Sequence, residues 1–128
     1  MANELILIIE DNEKNRKLAR DVLQVKGYTT IESETAEEGL KLAAEKSPTL
    51  ILMDIQLPGI DGITALKQLR ADPRTKSIRV IAITASAMTH NRQTMLAEGF
   101  DGYQTKPITL KDFLEEVRRV LDLKDRKG

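Results

Sequence analysis

The sequence has no cysteine and no tryptophan, and its aromatic side chains are limited to two tyrosines and two phenylalanines. Without cysteine there is no disulfide framework and no thiolate metal site. The 20 acidic and 20 basic residues cancel, so no basic excess points to nucleic acid. No apolar run is long enough to span a membrane, and the first one, Leu5–Ile9, is too short for a signal peptide. These absences predict a soluble cytoplasmic protein that binds neither nucleic acid nor a membrane directly.

The length of 128 residues suits one domain with one hydrophobic core. The sequence has no linker, no low-complexity segment and no internal repeat. We therefore predict a single domain over residues 1–122, followed by a short charged tail over residues 123–128.

Five short segments have the composition of β-strands. Three are nearly continuous apolar runs, at Leu5–Ile9, Leu50–Met53 and Val80–Ile83. Such runs are typical of strands that are buried on both faces. Two weaker segments, Tyr28–Ile31 and Tyr103–Thr105, contain polar residues that suit strands at or near the edges of a sheet.

Four of the other segments have apolar residues at the helical spacing of three and four. Their stripes are Leu18, Val22 and Val25; Ala36, Leu40, Ala43 and Ala44; Ile63, Leu66 and Leu69; and Leu110, Phe113, Leu114, Val117, Val120 and Leu121. A fifth segment, Thr89–Glu98, has only Met95 and Leu96 as its main apolar residues, which predicts a weakly held helix. Strand and helix thus alternate five times, and this order predicts an α/β fold with a parallel sheet covered by helices on both faces.

Polar residues with useful chemistry stand at the ends of four predicted strands. Glu10 and Asp11 follow the first strand, and Asp54 ends the third. Thr84 ends the fourth strand, and Lys106 follows the fifth. Because ligands of an open parallel sheet gather beyond the carboxyl ends of the strands, we expect these side chains to share a pocket.

Three carboxylates in one pocket repel each other and need a compensating charge. Mg²⁺ is suited to this role because it is a hard cation that prefers oxygen ligands, and Lys106 would add one further positive charge. A carboxylate nucleophile with a metal ion, a lysine and a hydroxyl group is the set of groups that phosphoryl transfer uses. The pattern therefore predicts a phosphoryl site.

Each residue also has a structural explanation when it is considered alone. An acid or Asn12 after a strand commonly caps the next helix, and Asp54 would start a turn. Thr84 would be an ordinary strand residue, and Lys106 a solvated lysine. Their joint placement at four strand ends favours the functional interpretation.

With these residues identified, the chain resembles the receiver domain of bacterial two-component response regulators, of the stand-alone single-domain type. The resemblance extends from about Leu5 to Leu121. It depends on four blocks, which are Glu10-Asp11, the segment from Asp54 to Gly62, Thr84-Ala85 and Lys106-Pro107. It implies a flavodoxin-like (βα)5 three-layer sandwich with a parallel five-stranded sheet in the order 2-1-3-4-5.

The resemblance also implies roles for individual residues. Asp54 would accept the phosphoryl group, and Thr84 and Lys106 would contact it. Thr84 and Tyr103 would form a switch in which Thr84 moves toward the phosphoryl group and Tyr103 rotates inward into the space behind it. The peptide bond before Pro107 would be cis.

The implied cofactor is Mg²⁺, with Mn²⁺ as the alternative ion. Its ligands would be Glu10 through water, Asp11, Asp54 and the backbone carbonyl of Gln56. Glu10 stands where many receivers have aspartate, which would change the geometry of the water-mediated contact. Gly62 would adopt a backbone conformation that is costly for other residues.

The implied partners are a histidine kinase or histidine phosphotransferase and a downstream protein target. The target would bind the 89–98 helix, the Tyr103 strand and the 109–122 helix of a monomer or weak dimer. An alternative is a receiver module excised from a larger response regulator or hybrid histidine kinase, because no output domain is encoded here.

Two other functions have less support in the sequence. An aspartyl phosphatase-like enzyme usually needs a second aspartate two residues after the nucleophile, and that position is Gln56. We therefore expect no enzyme activity beyond the protein's own phosphorylation and dephosphorylation. An adaptor that is never phosphorylated would not need the complete set of site residues, and His90 is expected to be an exposed residue of the 89–98 helix rather than a relay.

Overall fold

The computed structural model describes residues 4–123, in which strands and helices alternate. The strands are β1 (Leu5–Ile9), β2 (Thr29–Ser33), β3 (Leu50–Asp54), β4 (Arg79–Thr84) and β5 (Gly102–Thr105). The helices are α1 (Glu13–Val25), α2 (Ala36–Lys46), α3 (Gly62–Ala71), α4 (Arg92–Glu98) and α5 (Leu110–Leu121). The charged tail predicted for residues 123–128 lies outside the described residues except for Leu123. None of the helices within residues 4–123 has the length and hydropathy that crossing a bilayer requires.

The five strands form one parallel sheet in the order β2-β1-β3-β4-β5. This order confirms the predicted fold. The central strands β1, β3 and β4 are the three continuous apolar runs, and the two weaker segments are the edge strands β2 and β5. Apolar strands occupy the centre because both of their faces are covered by helices.

The core consists of two layers, one on each face of the sheet. Alternate residues of a strand point to opposite faces, so Leu7 and Ile9 join one layer and Ile6 and Ile8 join the other. Helices α2, α3 and α4 complete the first layer, and α1 and α5 complete the second. Burying one such Leu or Ile side chain contributes roughly 1.5–3 kcal/mol, which makes these layers the main source of stability.

Side-chain caps fix where most of the helices begin. The cap residues Asn12, Thr35, Asp61 and Asn91 each accept a hydrogen bond from the backbone N–H three residues later. Replacing such a cap with alanine typically costs about 1 kcal/mol. Because each of these capped helices follows a strand of the parallel sheet, the caps lie at the carboxyl edge of the sheet, where the candidate site is.

The predicted apolar stripe of α1 was wrong in its orientation. Leu18 and Val25 are 44% and 85% exposed, whereas Ala19 and Leu23 are buried against the sheet. One residue corresponds to about 100° of rotation on a helix, so the buried face is one position further along the chain than we predicted. Leu110, the first residue of the predicted α5 stripe, is 61% exposed.

The helix predicted over residues 89–98 is shorter than expected. It begins at Arg92, because Asn91 caps it and accepts a hydrogen bond from Thr94 N at 2.8 Å. Met95 is fully buried, but Leu96 is 39% exposed. A single fully buried apolar side chain makes α4 the least anchored of the helices.

Candidate functional site

Three carboxylates converge at the carboxyl edge of the sheet. Ile9 of β1 pairs with Met53 of β3. The next residues, Glu10 just after β1 and Asp54 at the end of β3, therefore lie at the same level of the sheet. One oxygen from each of Glu10, Asp11 and Asp54 lies within 4.8 Å of the others. Glu10 and Asp54 are buried, whereas Asp11 is exposed. The three acids therefore form a pocket that opens to solvent on the Asp11 side.

Lys106 brings a positive charge to the two buried acids. Its Nζ atom lies 2.9 Å from Glu10 Oε1 and 2.9 Å from Asp54 Oδ2. Its backbone N–H donates to the carbonyl of Thr84 at 2.8 Å, and the Lys106–Pro107 peptide bond is cis. The β5–α5 loop thus crosses the end of β4 and carries the ammonium group to the ends of β1 and β3.

Backbone N–H groups hold the buried carboxylates from the other side. Asn12 N donates to Glu10 Oε2 at 3.0 Å, and Gln56 N donates to Asp54 Oδ1 at 3.0 Å. Each carboxylate therefore has one oxygen on a backbone donor and the other on Lys106. This arrangement fixes the orientation of both groups before any ligand binds.

One ammonium group is too little positive charge for this cluster. Burial raises the pKa of Glu10 to about 7, Lys106 and Asn12 N oppose the rise, and the charge of Asp54 adds to it. For Lys106, burial alone would lower the pKa, but hydrogen bonds to Glu10 and Asp54 raise it above its ordinary value. Hard oxygen ligands with excess negative charge are the donor set that Mg²⁺ prefers, so the residues fit a divalent cation.

Thr84 ends β4 next to the acid cluster. Asp54 pairs with Ile83, so Thr84 lies one position beyond the level of Asp54 on the neighbouring strand. Its side chain is fully buried, and its hydroxyl oxygen accepts a hydrogen bond from Ser86 N at 3.0 Å. The hydroxyl is thus held by the β4–α4 loop at the carboxyl edge of the sheet.

Tyr103 of β5 occupies an inward position. Its side chain is 8% exposed and belongs to the core layer under α4. Its hydroxyl donates to the carbonyl of His90 at 2.7 Å, and burial raises its pKa. The exchange between inward and outward positions that the switch requires stays a prediction.

His90 was wrongly placed by the sequence. It precedes α4 instead of belonging to it, and it is half-buried instead of exposed. Within residues 4–123, its buried Nδ1 atom has no hydrogen-bond partner. Its backbone carbonyl accepts the hydrogen bond from the hydroxyl of Tyr103. A sequence pattern cannot predict such a contact, because it does not depend on the side chain of the accepting residue.

Gln56 and Gly62, which follow Asp54 along the chain, differ in how they are constrained. Gln56 has an exposed side chain, so its contribution to the pocket comes from its backbone. Gly62 does not have the unusual backbone angles we predicted; its φ is not positive. Glycine is instead required by close approach, because a Cβ atom there would lie 2.7 Å from the carbonyl oxygen of Asp54 and 2.8 Å from the Cα of Ile55.

Two charged residues that the sequence did not single out hold the surroundings of the site. Arg16 on α1 donates to the backbone carbonyl of Glu10 at 2.8 Å. Glu116 on α5 is buried and accepts a hydrogen bond from Tyr103 N at 2.8 Å. Charged residues on amphipathic helices normally face solvent, so no signal in the sequence distinguished these two.

Comparison with known proteins assigns the chain to a family. The sequence pattern of the response regulator receiver domain matches residues 6–118. The chain is 42% identical over 116 residues to the polar-differentiation response regulator DivK of Brucella ovis, covering 91% of this chain and 94% of that protein. The chain therefore belongs to the response regulator receiver family, and it is a phosphoryl-accepting signalling switch.

Solved structures agree with this assignment. The receiver domain of sensor histidine kinase PA1611 from Pseudomonas aeruginosa PAO1, with a magnesium ion coordinated in its active site cleft, has a TM-score of 0.86 and 28% identity. The comparison covers 95% of this chain and 100% of that one. A response regulator from Chloroflexus aurantiacus J-10-fl has a TM-score of 0.88 and 26% identity, over 94% and 99% of the two chains.

Proposed function

We propose that Asp54 is the residue that accepts the phosphoryl group. The observation that carries this proposal is the position of Lys106 Nζ, 2.9 Å from Asp54 Oδ2, in a pocket that contains three carboxylates. Asp54 is the buried acid at the end of the central strand β3, flanked by strands on both sides. A carboxylate held by a backbone donor and an ammonium group is oriented for attack on phosphorus.

In the proposed reaction, an Asp54 carboxylate oxygen forms a bond to phosphorus while the bond between phosphorus and the donor nitrogen breaks. The donor is a phosphohistidine of a histidine kinase or phosphotransferase. Lys106 moves its ammonium group toward the phosphoryl oxygens, and the Thr84 hydroxyl donates a hydrogen bond to one of them. The contact of Lys106 with Asp54 and the position of Thr84 on the strand next to β3 support these roles.

We propose Mg²⁺ as the cofactor, with Mn²⁺ as the alternative ion. Asp11, Asp54 and the backbone carbonyl of Gln56 would hold it directly, and Glu10 through water. When bound, the ion neutralises negative charge on the phosphoryl oxygens. The oxygen atoms of the three acids, all within 4.8 Å of one another, support this assignment.

The proposed output is a change of surface rather than turnover of a substrate. Thr84 and Tyr103 would transmit phosphorylation to α4, β5 and α5, where a downstream protein binds a monomer or weak dimer. The short helix α4 supports this proposal because it has one fully buried apolar anchor. We assign the receiver to residues 1–122 and place its signalling in the cytoplasm, with no enzyme activity on external substrates.

The test is labelling with a small phosphodonor in the presence of Mg²⁺, followed by intact-mass measurement. Wild-type protein is expected to gain one phosphoryl group, and Asp54→Asn none. Asp61→Asn is the matched control, because Asp61 is a nearby exposed aspartate that caps α3 and is outside the acid cluster. Normal phosphoryl uptake by Asp54→Asn would refute the assignment.

A further inference from the structure

Arg16 connects three segments that surround the acid cluster. It lies in the second turn of α1 with its side chain 13% exposed. Its Nη1 atom donates to the Glu10 carbonyl at 2.8 Å, and its Nε atom donates to Glu32 Oε1 on β2 at 3.2 Å. Its Nη2 atom lies 3.8 Å from a carboxylate oxygen of Glu34. The guanidinium group therefore joins helix α1, strand β2 and the loop that follows β1.

We propose that Arg16 is a positioning residue for the metal-binding loop Glu10–Asp11. This inference rests on the proposed metal site. The Glu10 carbonyl belongs to the peptide unit that leads into Asp11, and because this unit is planar, a bond that holds its carbonyl also restricts the direction of the Asp11 N–H and Cα. Arg16 thereby determines the direction in which the exposed Asp11 carboxylate projects toward Asp54.

The Glu10 carbonyl depends on Arg16 because the sheet does not hold it. Strand β1 ends at Ile9, and Glu10 contributes only its N–H to the neighbouring strand, donating to Ser33 O at 3.1 Å. Among residues 4–123, no backbone N–H outside the regular elements donates to the Glu10 carbonyl. The guanidinium bond is therefore the contact that sets the peptide orientation at the start of the loop.

The charge of Arg16 by itself would weaken metal binding. A guanidinium group close to a cation site repels the cation, although Glu32 and Glu34 reduce this effect by pairing with it. Removing the charge would then tighten Mg²⁺ binding, whereas removing the positioning bond would weaken it. The sign of the change distinguishes a positioning role from a purely electrostatic one.

Arg20 provides a matched control on the same helix. It lies one turn after Arg16 and pairs with the same carboxylate, Glu32, at 3.0 Å. Its guanidinium group contacts Glu32 and Asp21, so it shares the charge of Arg16 and its Glu32 anchor, whereas the bond to the Glu10 carbonyl comes from Arg16. Arg20→Gln therefore removes a guanidinium from the α1–β2 contact without changing the contact at the loop.

The experiment is a Mg²⁺ titration followed by backbone amide NMR shifts, with no phosphodonor present. Outer contacts of metal ligands typically change affinity by roughly 10–100-fold when removed. We expect Arg16→Gln to raise the Kd for Mg²⁺ by roughly 10–100-fold. We expect Arg20→Gln to leave this Kd unchanged. In the absence of Mg²⁺, the Asp11 amide signal should shift in Arg16→Gln but not in Arg20→Gln.

Arg16→Lys tests the geometry separately from the charge. Lysine keeps the repelling positive charge but lacks the planar fork that reaches Glu10 and Glu32 together, so we expect Arg16→Lys to raise the Kd for Mg²⁺ at least as much as Arg16→Gln does. This variant also serves as the test if Arg16→Gln does not fold, as judged from its amide spectrum.

The possible results distinguish a failure of the positioning role of Arg16 from a failure of the proposed metal site. Equal or tighter Mg²⁺ binding by Arg16→Gln would overturn the positioning role while leaving the metal site intact. An equal loss in Arg20→Gln would also overturn it, since the effect would then belong to the α1–β2 contact as a whole. Failure of the wild-type protein to bind Mg²⁺ would refute the proposed metal site and the positioning role together.

Discussion

Glu10 and Glu116 are both buried glutamates, but their surroundings act on them in opposite directions. Burial raises the pKa of Glu10 to about 7, and the hydrogen bonds from Lys106 and Asn12 N offset this rise only in part. Burial would also raise the pKa of Glu116, but hydrogen bonds from Arg119 and Tyr103 N lower it below its ordinary value. Burial opposes ionisation of both carboxylates, and their hydrogen-bond partners outweigh it at Glu116 but not at Glu10.

The comparison separates a functional region from a structural one. Around Glu10 the negative charge exceeds the positive charge, which leaves the pocket able to bind a cation. Around Glu116 the carboxylate is fully engaged by a backbone N–H at 2.8 Å and by Arg119 at 2.9 and 3.0 Å. Glu116 thereby closes part of the outer edge of β5, where an unpaired N–H would otherwise need water or another strand.

The largest expected difference between the two regions concerns their cations. Lys106→Met should lower the rate of labelling by a small phosphodonor by roughly 10²–10³-fold, because the ammonium group that meets the phosphoryl oxygens is lost. Arg119→Met, which removes a cation from Glu116, should leave the rate unchanged. Mass-based time courses with Mg²⁺ measure both, and equal rates for Lys106→Met and wild type would contradict the assignment of Lys106.

The second prediction concerns the stability supplied by Glu116. Glu116→Gln should lower the free energy of unfolding by roughly 1–3 kcal/mol, the usual loss for hydrogen bonds to a charged group. Because the folded-state pKa of Glu116 is lowered, this contribution is present above the unfolded pKa of about 4.5 and is lost as the pH falls through the folded pKa. Urea unfolding of both proteins at neutral and acidic pH tests this; a difference that persisted at low pH would contradict it.

Glu10 should show the opposite pH dependence in metal-free buffer. Its folded-state pKa is raised, so the wild-type protein loses stability as the pH rises from the unfolded value of 4.5 to about 7, where the folded carboxyl ionises. We expect Glu10→Gln to be more stable than wild type at neutral pH by roughly 1–2 kcal/mol, with water near exposed Asp11 limiting the effect. The measurement is urea unfolding in the presence of a chelator. If Glu10→Gln and Glu116→Gln changed the free energy of unfolding in the same direction at neutral pH, the contrast between the two glutamates would be wrong.

The smallest effect is expected for Arg92. Its side chain is 51% exposed, and its guanidinium group lies 3.5 Å from the carboxylate of Glu116. The Cζ atom of this group lies 5.6 Å from the ring centre of Tyr103. Exposed ion pairs contribute roughly 0–1 kcal/mol, so Arg92→Gln should change the unfolding free energy by less than about 1 kcal/mol. A larger loss in the same urea assay would place Arg92 among the residues that hold α4 in position.

Much of the fold was predictable from local patterns. The run Leu5–Ile9 coincides with β1, and the alternation of elements predicted the parallel sheet, whereas its strand order was implied by the family resemblance. The orientation of α1 was not predictable, since Leu18 and Val25 form as good a stripe as the buried Ala19 and Leu23. Helical spacing identifies a face, but packing against the sheet decides which face is buried.

The candidate site was predictable to a similar degree. The acids at the strand ends were identifiable because parallel strands end at one edge of a sheet. Arg16 and Glu116 were not, because their roles depend on a single carbonyl and a single N–H in other segments. The His90 carbonyl that accepts the hydrogen bond from Tyr103 was also not predictable, because every residue type has a backbone carbonyl.

By itself, the sequence determined the alternation of strands and helices and the polar residues at the strand ends, because periodicity and composition are local properties of a chain. The tertiary structure alone decided how the charges are shared. Lys106 is 52 residues from Asp54 and still lies 2.9 Å from it, and Tyr103 meets a carboxylate from the following helix. Such pairings, and the pKa values that follow from them, depend on distances between remote segments, which exist only once the sheet has formed.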